Sequence, residues 1–212
     1  MELLASFIDI VLHLDVHLAA LVQQYGVWVY AILFAIIFAE TGLVVTPFLP
    51  GDSLLFVAGA LAAVGGINVH LIVASLIVAA VLGNSTNYAI GRWLGKTFFR
   101  DRGSKWLNPE YLERTHAFYE KHGGMAVVIS RFIPIIRTYV PFVAGLGAMT
   151  PARFTAYNVG GAFLWIVSLT YAGYFFGNIP WVKKNLTLII VAIILVSVIP
   201  VVVAAVKARR GE

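Results

Sequence analysis

The sequence TPFLPGD at residues 46–52 interrupts a long apolar run. Proline has no backbone N–H to donate and disfavours a helical backbone in the residue before it. We therefore expect one helix to stop within this stretch, because Pro47, Pro50 and Gly51 do not continue it. Asp52 is a residue type that favours the start of a new helix. The stretch predicts a helix break inside the apolar part of the chain.

The apolar segment after this break is too short to cross a bilayer. Leu54 to Val64 makes about 11 residues, or roughly 17 Å of helix, against a hydrocarbon core of about 30 Å. A glycine pair, Gly65-Gly66, ends the segment. We therefore predict a re-entrant helical hairpin over residues 25–66.

A second interruption, RFIPIIR at residues 131–137, has the same character. The apolar stretch from Met125 to Ile133 is again too short to span. We expect Pro134 and Pro141 to break the helix here as well. The second predicted hairpin covers residues 123–149.

Short sequence matches relate the two halves of the chain. Phe-Val-Ala-Gly occurs at residues 56–59 and again at 142–145, and Tyr-Ala-Ile-Gly at 88–91 is followed later by Tyr-Ala-Gly at 171–173. If each half is one hairpin and one span, the two hairpins enter the membrane from opposite sides. The chain is then an inverted repeat, and transporters of that design bind substrate near the membrane midplane.

Composition indicates an all-α integral membrane protein. The chain is 60% hydrophobic and 12% charged, whereas soluble domains are about 45–50% apolar and 25% charged. We expect a single membrane domain over residues 1–212. Its predicted segments are an interfacial or short N-terminal helix (1–24), the first hairpin (25–66), a transmembrane helix (69–95), an amphipathic surface helix (106–122), the second hairpin (123–149), a transmembrane helix (152–177) and a C-terminal transmembrane helix (185–207).

The distribution of Lys and Arg predicts the orientation. Basic residues crowd residues 92–105 and close the chain at 207–210, which places both regions and the C-terminus in the cytoplasm. Lys183-Lys184 then lies on the opposite side, an exception to the rule. The net charge of +5 therefore reports loop orientation, and no nucleic-acid partner is expected.

Two acids in the apolar region are candidates for proton coupling. Glu40 lies in an apolar stretch, and a carboxyl group there could exchange a proton during transport; the alternative is a static buried ion pair with an arginine. Asp52 opens a half-helix, where backbone N–H groups and the helix dipole favour negative charge. Its alternative role is a simple N-cap.

Two arginines are candidates for binding a substrate phosphate. Arg131 and Arg137 would point to different faces of an unbroken helix, but a break at Pro134 allows them to converge. Arginine stays charged when buried and can hold a phosphate bidentately. The alternatives are structural salt bridges to the two acids, or snorkelling to the interface. We expect all four charges to meet around one midplane cavity.

Other polar residues support a transporter more than an enzyme. Asn84 and Asn87 either line the cavity or hydrogen-bond between helices. His13 and His17 have metal-ligand spacing, but no third ligand is evident, so no metal is predicted. The sequence holds no Gly-x-Ser-x-Gly, His-Glu-x-x-His or P-loop motif. We expect neither catalysis nor a cofactor.

Three groups of residues carry a resemblance to a known family. They are Glu40 through Pro47-x-x-Pro50-Gly51-Asp52, Gly91-Arg92, and Arg131-Phe132-x-Pro134-x-x-Arg137-Thr138-x-x-Pro141-x-x-Ala144-Gly145. In these residues the sequence resembles the DedA family of bacterial inner-membrane proteins, which is related to the VTT-domain lipid scramblases of eukaryotes. The family pattern often has an acid where this chain has Gly83-Asn84.

The resemblance implies two opposed re-entrant hairpins in a multi-pass inner-membrane protein. It also implies transport of a lipid phosphate, undecaprenyl phosphate or a phospholipid, driven by the proton motive force and supporting the cell envelope. The family's functional residues fall on Glu40, Asp52, Arg131 and Arg137. Two alternatives stay open: a proton-coupled antiporter of small cations or drugs, and a membrane assembly factor that transports nothing. The sequence also leaves open a homo-oligomer.

Overall fold

A computed structural model describes residues 14–43, 51–65, 67–100, 124–147, 149–177 and 179–185, and the pairs 188–189 and 191–192. Every regular element within these ranges is an α-helix. The helices are α1 (Leu14–Tyr25), α2 (Trp28–Gly42), α3 (Gly51–Val64), α4 (Val69–Arg100), α5 (Met125–Ser130), α6 (Pro134–Leu146), α7 (Pro151–Phe176) and α8 (Pro180–Lys184).

The chain forms two compact units. Unit 1 contains α1, α3, α8, α2 up to Phe34, α4 up to Leu76, and α7 from Ile166. Unit 2 contains α5, α6, α2 from Ala35, α4 from Ile77, and α7 up to Trp165.

Two helices are long and apolar enough to cross a membrane. They cover Val69–Gly95, with 27 residues, and Pro151–Phe176, with 26 residues. At about 1.5 Å of rise per residue, each is longer than a hydrocarbon core of about 30 Å. These helices cover the segments predicted at residues 69–95 and 152–177, although α4 continues to Arg100; their placement across a membrane stays a prediction.

The first predicted break separates two short helices. α2 ends at Gly42, and α3 begins at Gly51 and has 14 residues. Gly65 follows α3 with φ of +93°, a backbone conformation that favours glycine. Pro47 and Pro50 lie outside the described residues.

The second break lies at residues 131–133, between α5 and α6. Ile133 has an extended backbone, and Pro134 is the first residue of α6, where its missing N–H costs no helical hydrogen bond. The prediction for Pro141 was wrong, because α6 continues through it to Leu146. An internal proline costs about 3 kcal/mol, and the close packing of α6 described below offsets this cost.

Three other predictions involve the ends and the basic loop. The N-terminal segment is described from Leu14 onward, where α1 runs to Tyr25 and packs on α3 in unit 1. The predicted surface helix at 106–122 lies outside the described residues, as does most of the predicted C-terminal span at 185–207.

In unit 1, α3 and α7 meet with their backbones in contact. A Cβ added to Gly59 would overlap the carbonyl oxygen of Thr170, and one added to Gly173 would overlap that of Phe56. Small residues permit such close helix packing in membranes. Glycine is therefore required on both helices at this crossing.

In unit 2, α4 and α6 repeat this contact. A Cβ on Gly145 would overlap the carbonyl oxygen of Tyr88, and one on Gly91 would overlap that of Phe142. The contacts thus match the two Phe-Val-Ala-Gly segments with each other. They also match Gly91 with Gly173. Tyr88 therefore corresponds to Thr170, whereas the sequence comparison pairs it with Tyr171.

Alanine at a crossing glycine should destabilise the protein. Gly59→Ala and Gly145→Ala each place a methyl group on a backbone carbonyl, and overpacking of this kind typically costs about 1–3 kcal/mol. We expect both variants to melt at a lower temperature in detergent. Gly160→Ala is the control, because nothing lies within 4 Å of its new methyl group. Equal melting temperatures for all three variants would contradict the described packing.

Candidate functional site

Unit 2 contains a buried charge cluster of three residues, Glu40, Arg131 and Arg137. Their exposed fractions are 0%, 0% and 2%. Glu40 lies near the C-terminal end of α2, Arg131 lies at the break between α5 and α6, and Arg137 lies at the start of α6. Burying a charge is costly unless it is paired, so the partners of each group define what this cluster can do.

Glu40 and Arg137 form a buried ion pair. Nη2 of Arg137 lies 2.8 Å from Oε1 of Glu40. The end of α2 is held close to α4 at two glycines: a Cβ on Gly42 would lie 3.3 Å from the Cα of Gly83. Glu40 therefore lies two residues before the point at which α2 contacts α4.

Arg131 is held by neutral groups. Its Nη2 donates to Oδ1 of Asn158 at 2.6 Å, with the carbonyl oxygens of Asn158 and Ala80 at 3.3 and 3.4 Å. When the Asn84 amide is assigned from its surroundings, its oxygen accepts from the same Nη2 at 2.9 Å. Among the described residues, no carboxylate forms an ion pair with Arg131.

The other nitrogens of Arg131 are buried without a hydrogen-bond partner in the described part of the chain. These are Nε and Nη1, which carry three of the five N–H groups of a guanidinium. A buried donor left unsatisfied is costly, more so when it is charged. An anion that reached these N–H groups would be bound by charge-assisted hydrogen bonds.

Trp165 contacts both arginines. Its ring centroid lies 5.9 Å from Cζ of Arg131 and 4.8 Å from Cζ of Arg137, and its side chain is completely buried. Both distances are within the range of cation–π attraction. The indole thus offsets part of the repulsion between two like charges.

Sequence reasoning missed Asn158 and Trp165. A signal was available, because they are seven residues apart on α7, with Gly161 between them. On an α-helix this spacing places all three on one face. Gly161 also belongs to the site, since a Cβ there would lie 3.1 Å from Cδ of Arg131.

Asn84 and Asn87 form hydrogen bonds between helices, and their lining of a cavity stays a prediction. Both are completely buried. Nδ2 of Asn87 donates to the carbonyl oxygen of Thr138 at 2.7 Å, and the Asn84 amide nitrogen donates to that of Thr41 at 3.2 Å. These bonds tie α4 to α6 and to the end of α2.

Asp52 belongs to unit 1. It is half-buried in the first turn of α3, one residue inside the helix, where the helix dipole favours its charge. Its predicted place beside the other three charges stays a prediction. The described residues hold no group of three His, Cys, Asp or Glu side chains able to bind a metal.

Comparisons with known proteins agree with the resemblance. The VTT domain matches residues 49–175. Protein DedA of Escherichia coli K12 is 57% identical over 213 residues, covering 100% of this chain and 97% of that protein. The chain belongs to the DedA family.

Two further relatives are named only as membrane proteins. Inner membrane protein YqjA of Escherichia coli K12 is 39% identical, covering 85% of this chain and 81% of that protein. The uncharacterized membrane protein ML0287 of Mycobacterium leprae is 42% identical, covering 84% and 79%. No solved structure gives a significant match. Membership, together with the two long apolar helices, makes this DedA family chain a membrane protein.

A double-mutant cycle should reveal the Glu40–Arg137 ion pair. Glu40→Gln or Arg137→Gln alone leaves one buried charge uncompensated, which costs about 3–5 kcal/mol. The double variant removes both charges, so its loss of stability should be well below the sum of the two. Reversible unfolding in mixed micelles measures the coupling. Additive losses would show that the two groups do not form a stabilising pair.

Proposed function

We propose that this DedA family member moves a lipid phosphate across the bacterial inner membrane and draws on the proton motive force, thereby supporting the cell envelope. The substrate is a polyprenyl phosphate such as undecaprenyl phosphate, or a phospholipid. The observation that carries the proposal is the charge of unit 2, where two buried arginines are accompanied by one carboxylate among the described residues, Glu40. A phosphate supplies balancing negative charge while its lipid tail stays in the bilayer.

The two arginines differ in what surrounds them. Among the described residues, Arg131 donates hydrogen bonds only to neutral oxygens, and its Nε and Nη1 make no hydrogen bond. Arg137 is paired with Glu40. Arg131 is therefore the first group to receive the phosphate.

Glu40 connects phosphate binding to protons. While ionised, it competes with any anion for the guanidinium of Arg137. A proton taken up on the carboxylate removes that competition, so Arg137 can join Arg131 on the phosphate. Loss of the proton restores the ion pair and expels the phosphate. Asp52 is proposed as a second proton carrier because it also lies among apolar segments.

The proposed topology is an inverted repeat of two re-entrant hairpins, at residues 25–66 and 123–149, with the C-terminus in the cytoplasm. Support comes from the repeated contacts: Gly59 on Thr170 in unit 1 corresponds to Gly145 on Tyr88 in unit 2. We propose that the protein works as a transporter and not as an enzyme, without a cofactor, and that a homo-oligomer is compatible with this role.

Arg137→Lys should strongly reduce the rate of lipid transport. Lysine keeps the charge but loses the planar fork of N–H donors. The loss of one charge-assisted hydrogen bond, about 1.5–3 kcal/mol, corresponds to roughly tenfold to a hundredfold. The assay follows a fluorescent lipid in proteoliposomes with and without a proton gradient. Separate measurements with a polyprenyl phosphate and with a phospholipid also identify which lipid is transported.

The matched control is Arg153→Lys, because Arg153 is exposed on α7. It should transport like the wild type. Normal lipid transport by Arg137→Lys would argue against phosphate recognition. Transport of small cations but of no lipid would favour the antiporter instead.

Glu40→Gln should separate binding from coupling. The amide is neutral at every pH, so Arg137 is permanently released from its ion pair. We expect the variant to bind lipid phosphate but to respond to an imposed proton gradient about tenfold less than the wild type. Proteoliposome flux at a series of gradients measures this response. An unchanged response would remove Glu40 from the coupling scheme.

A further inference from the structure

Asn158 lies about two turns after the first residue of α7, and both ends of its side-chain amide form hydrogen bonds. The side chain is completely buried. Its Oδ1 accepts from Nη2 of Arg131 at 2.6 Å, and its Nδ2 donates to the carbonyl oxygen of Val81 at 3.0 Å and to Oγ of Ser85 at 3.2 Å. The Ser85 hydroxyl itself donates to Val81 at 2.7 Å, so Ser85 can only accept from Asn158. This pattern fixes the amide orientation, with its oxygen toward the arginine.

We propose that Asn158 positions Arg131 for binding the anionic substrate. The amide holds one end of the guanidinium and adds no negative charge. Because Nη2 donates only to neutral oxygens among the described residues, the positive charge of Arg131 stays available. Nε and Nη1 are the nitrogens that carry no hydrogen bond in the described residues, and they are the donors that contact the anion. This assignment rests on the proposed lipid-phosphate transport.

A carboxylate in place of Asn158 would have the opposite effect. It would accept from Nη2 with similar geometry but form an ion pair with Arg131, as Glu40 does with Arg137. Such a pair competes with an anionic ligand for the same guanidinium. An amide at this position therefore favours anion binding, and an acid at the same position opposes it.

The neighbouring groups keep Arg131 in place beside a second cation. Cζ of Arg131 and Cζ of Arg137 lie 5.9 and 4.8 Å from one indole ring, that of Trp165. Repulsion between two cations this close would displace an arginine with no fixed partner. The amide of Asn158 opposes that displacement and so holds the guanidinium of Arg131 in position.

Asn158→Asp is the direct test. Binding of a short-chain polyprenyl phosphate in micelles is followed by the fluorescence of Trp165 in protein whose four other tryptophans are replaced by phenylalanine, with the uncharged polyprenol as the blank. We expect Asn158→Asp to bind at least about tenfold more weakly, while its melting temperature equals or exceeds that of the parent. Binding and stability then change independently, which a purely structural role does not allow.

Asn68→Asp is the matched control. Asn68 is exposed, and its Oδ1 accepts from the backbone N–H of His70 at 2.9 Å, a capping role that aspartate also performs. Its binding should equal that of the parent. Equal binding by Asn158→Asp and the parent would overturn the positioning role alone, whereas a parent that binds no lipid phosphate would overturn the proposed function.

Two less disruptive variants, Ser85→Ala and Thr86→Ala, test the same role if Asn158→Asp does not fold. Ser85→Ala removes one of the two acceptors that orient the Asn158 amide and should weaken binding about fivefold. Thr86→Ala removes an equivalent hydroxyl bond, from Oγ1 to the carbonyl of Leu82 at 2.9 Å, on the exposed side of α4. It should bind normally. Identical binding by the two variants would overturn the positioning role, as would losses of binding that follow losses of melting temperature.

Discussion

Two guanidinium groups buried side by side, with one carboxylate in the described part of unit 2, are the constraint on which this unit depends. Arg131 and Arg137 are almost fully removed from solvent, and neither can lose its charge in the manner of a lysine or an acid. Two different kinds of interaction offset the free-energy cost of burying these charges. Glu40 neutralises Arg137 directly. Arg131 instead donates hydrogen bonds to amide and carbonyl oxygens, which carry no net charge. This difference gives the cluster an unbalanced charge, and an anionic substrate would balance it.

Close backbone packing is what makes this arrangement geometrically possible. Glycines let α2 approach α4 at Gly42 and Gly83, and let α4 approach α6 at Gly91 and Gly145. Residues from helices distant in the sequence therefore reach one buried site. The same contact recurs between α3 and α7 in unit 1, where Gly59 meets Thr170. A glycine thus lies against a backbone carbonyl oxygen of another helix in each unit.

Local rules predicted the parts of this site that local forces determine. Hydropathy located both long helices, and the missing N–H of Pro134 predicted the break beside Arg131. The same rule was wrong at Pro141, because packing of α6 against α4 outweighs one lost hydrogen bond. Asn158 and Trp165 were missed although their spacing places them on one face of α7, because that spacing does not show that the face contacts a charged side chain. Which acid pairs with which arginine depends on tertiary packing, and residue spacing alone does not determine it.

The sharpest measurement is calorimetric binding of a polyprenyl phosphate to the purified protein, with the matching uncharged polyprenol as reference and Arg131→Gln as the variant. Binding is predicted for the phosphate only, and it should fall at least about tenfold in the variant. Equal binding of phosphate and alcohol, or undiminished binding by folded Arg131→Gln protein, would contradict the claim that this buried arginine holds the substrate's charge.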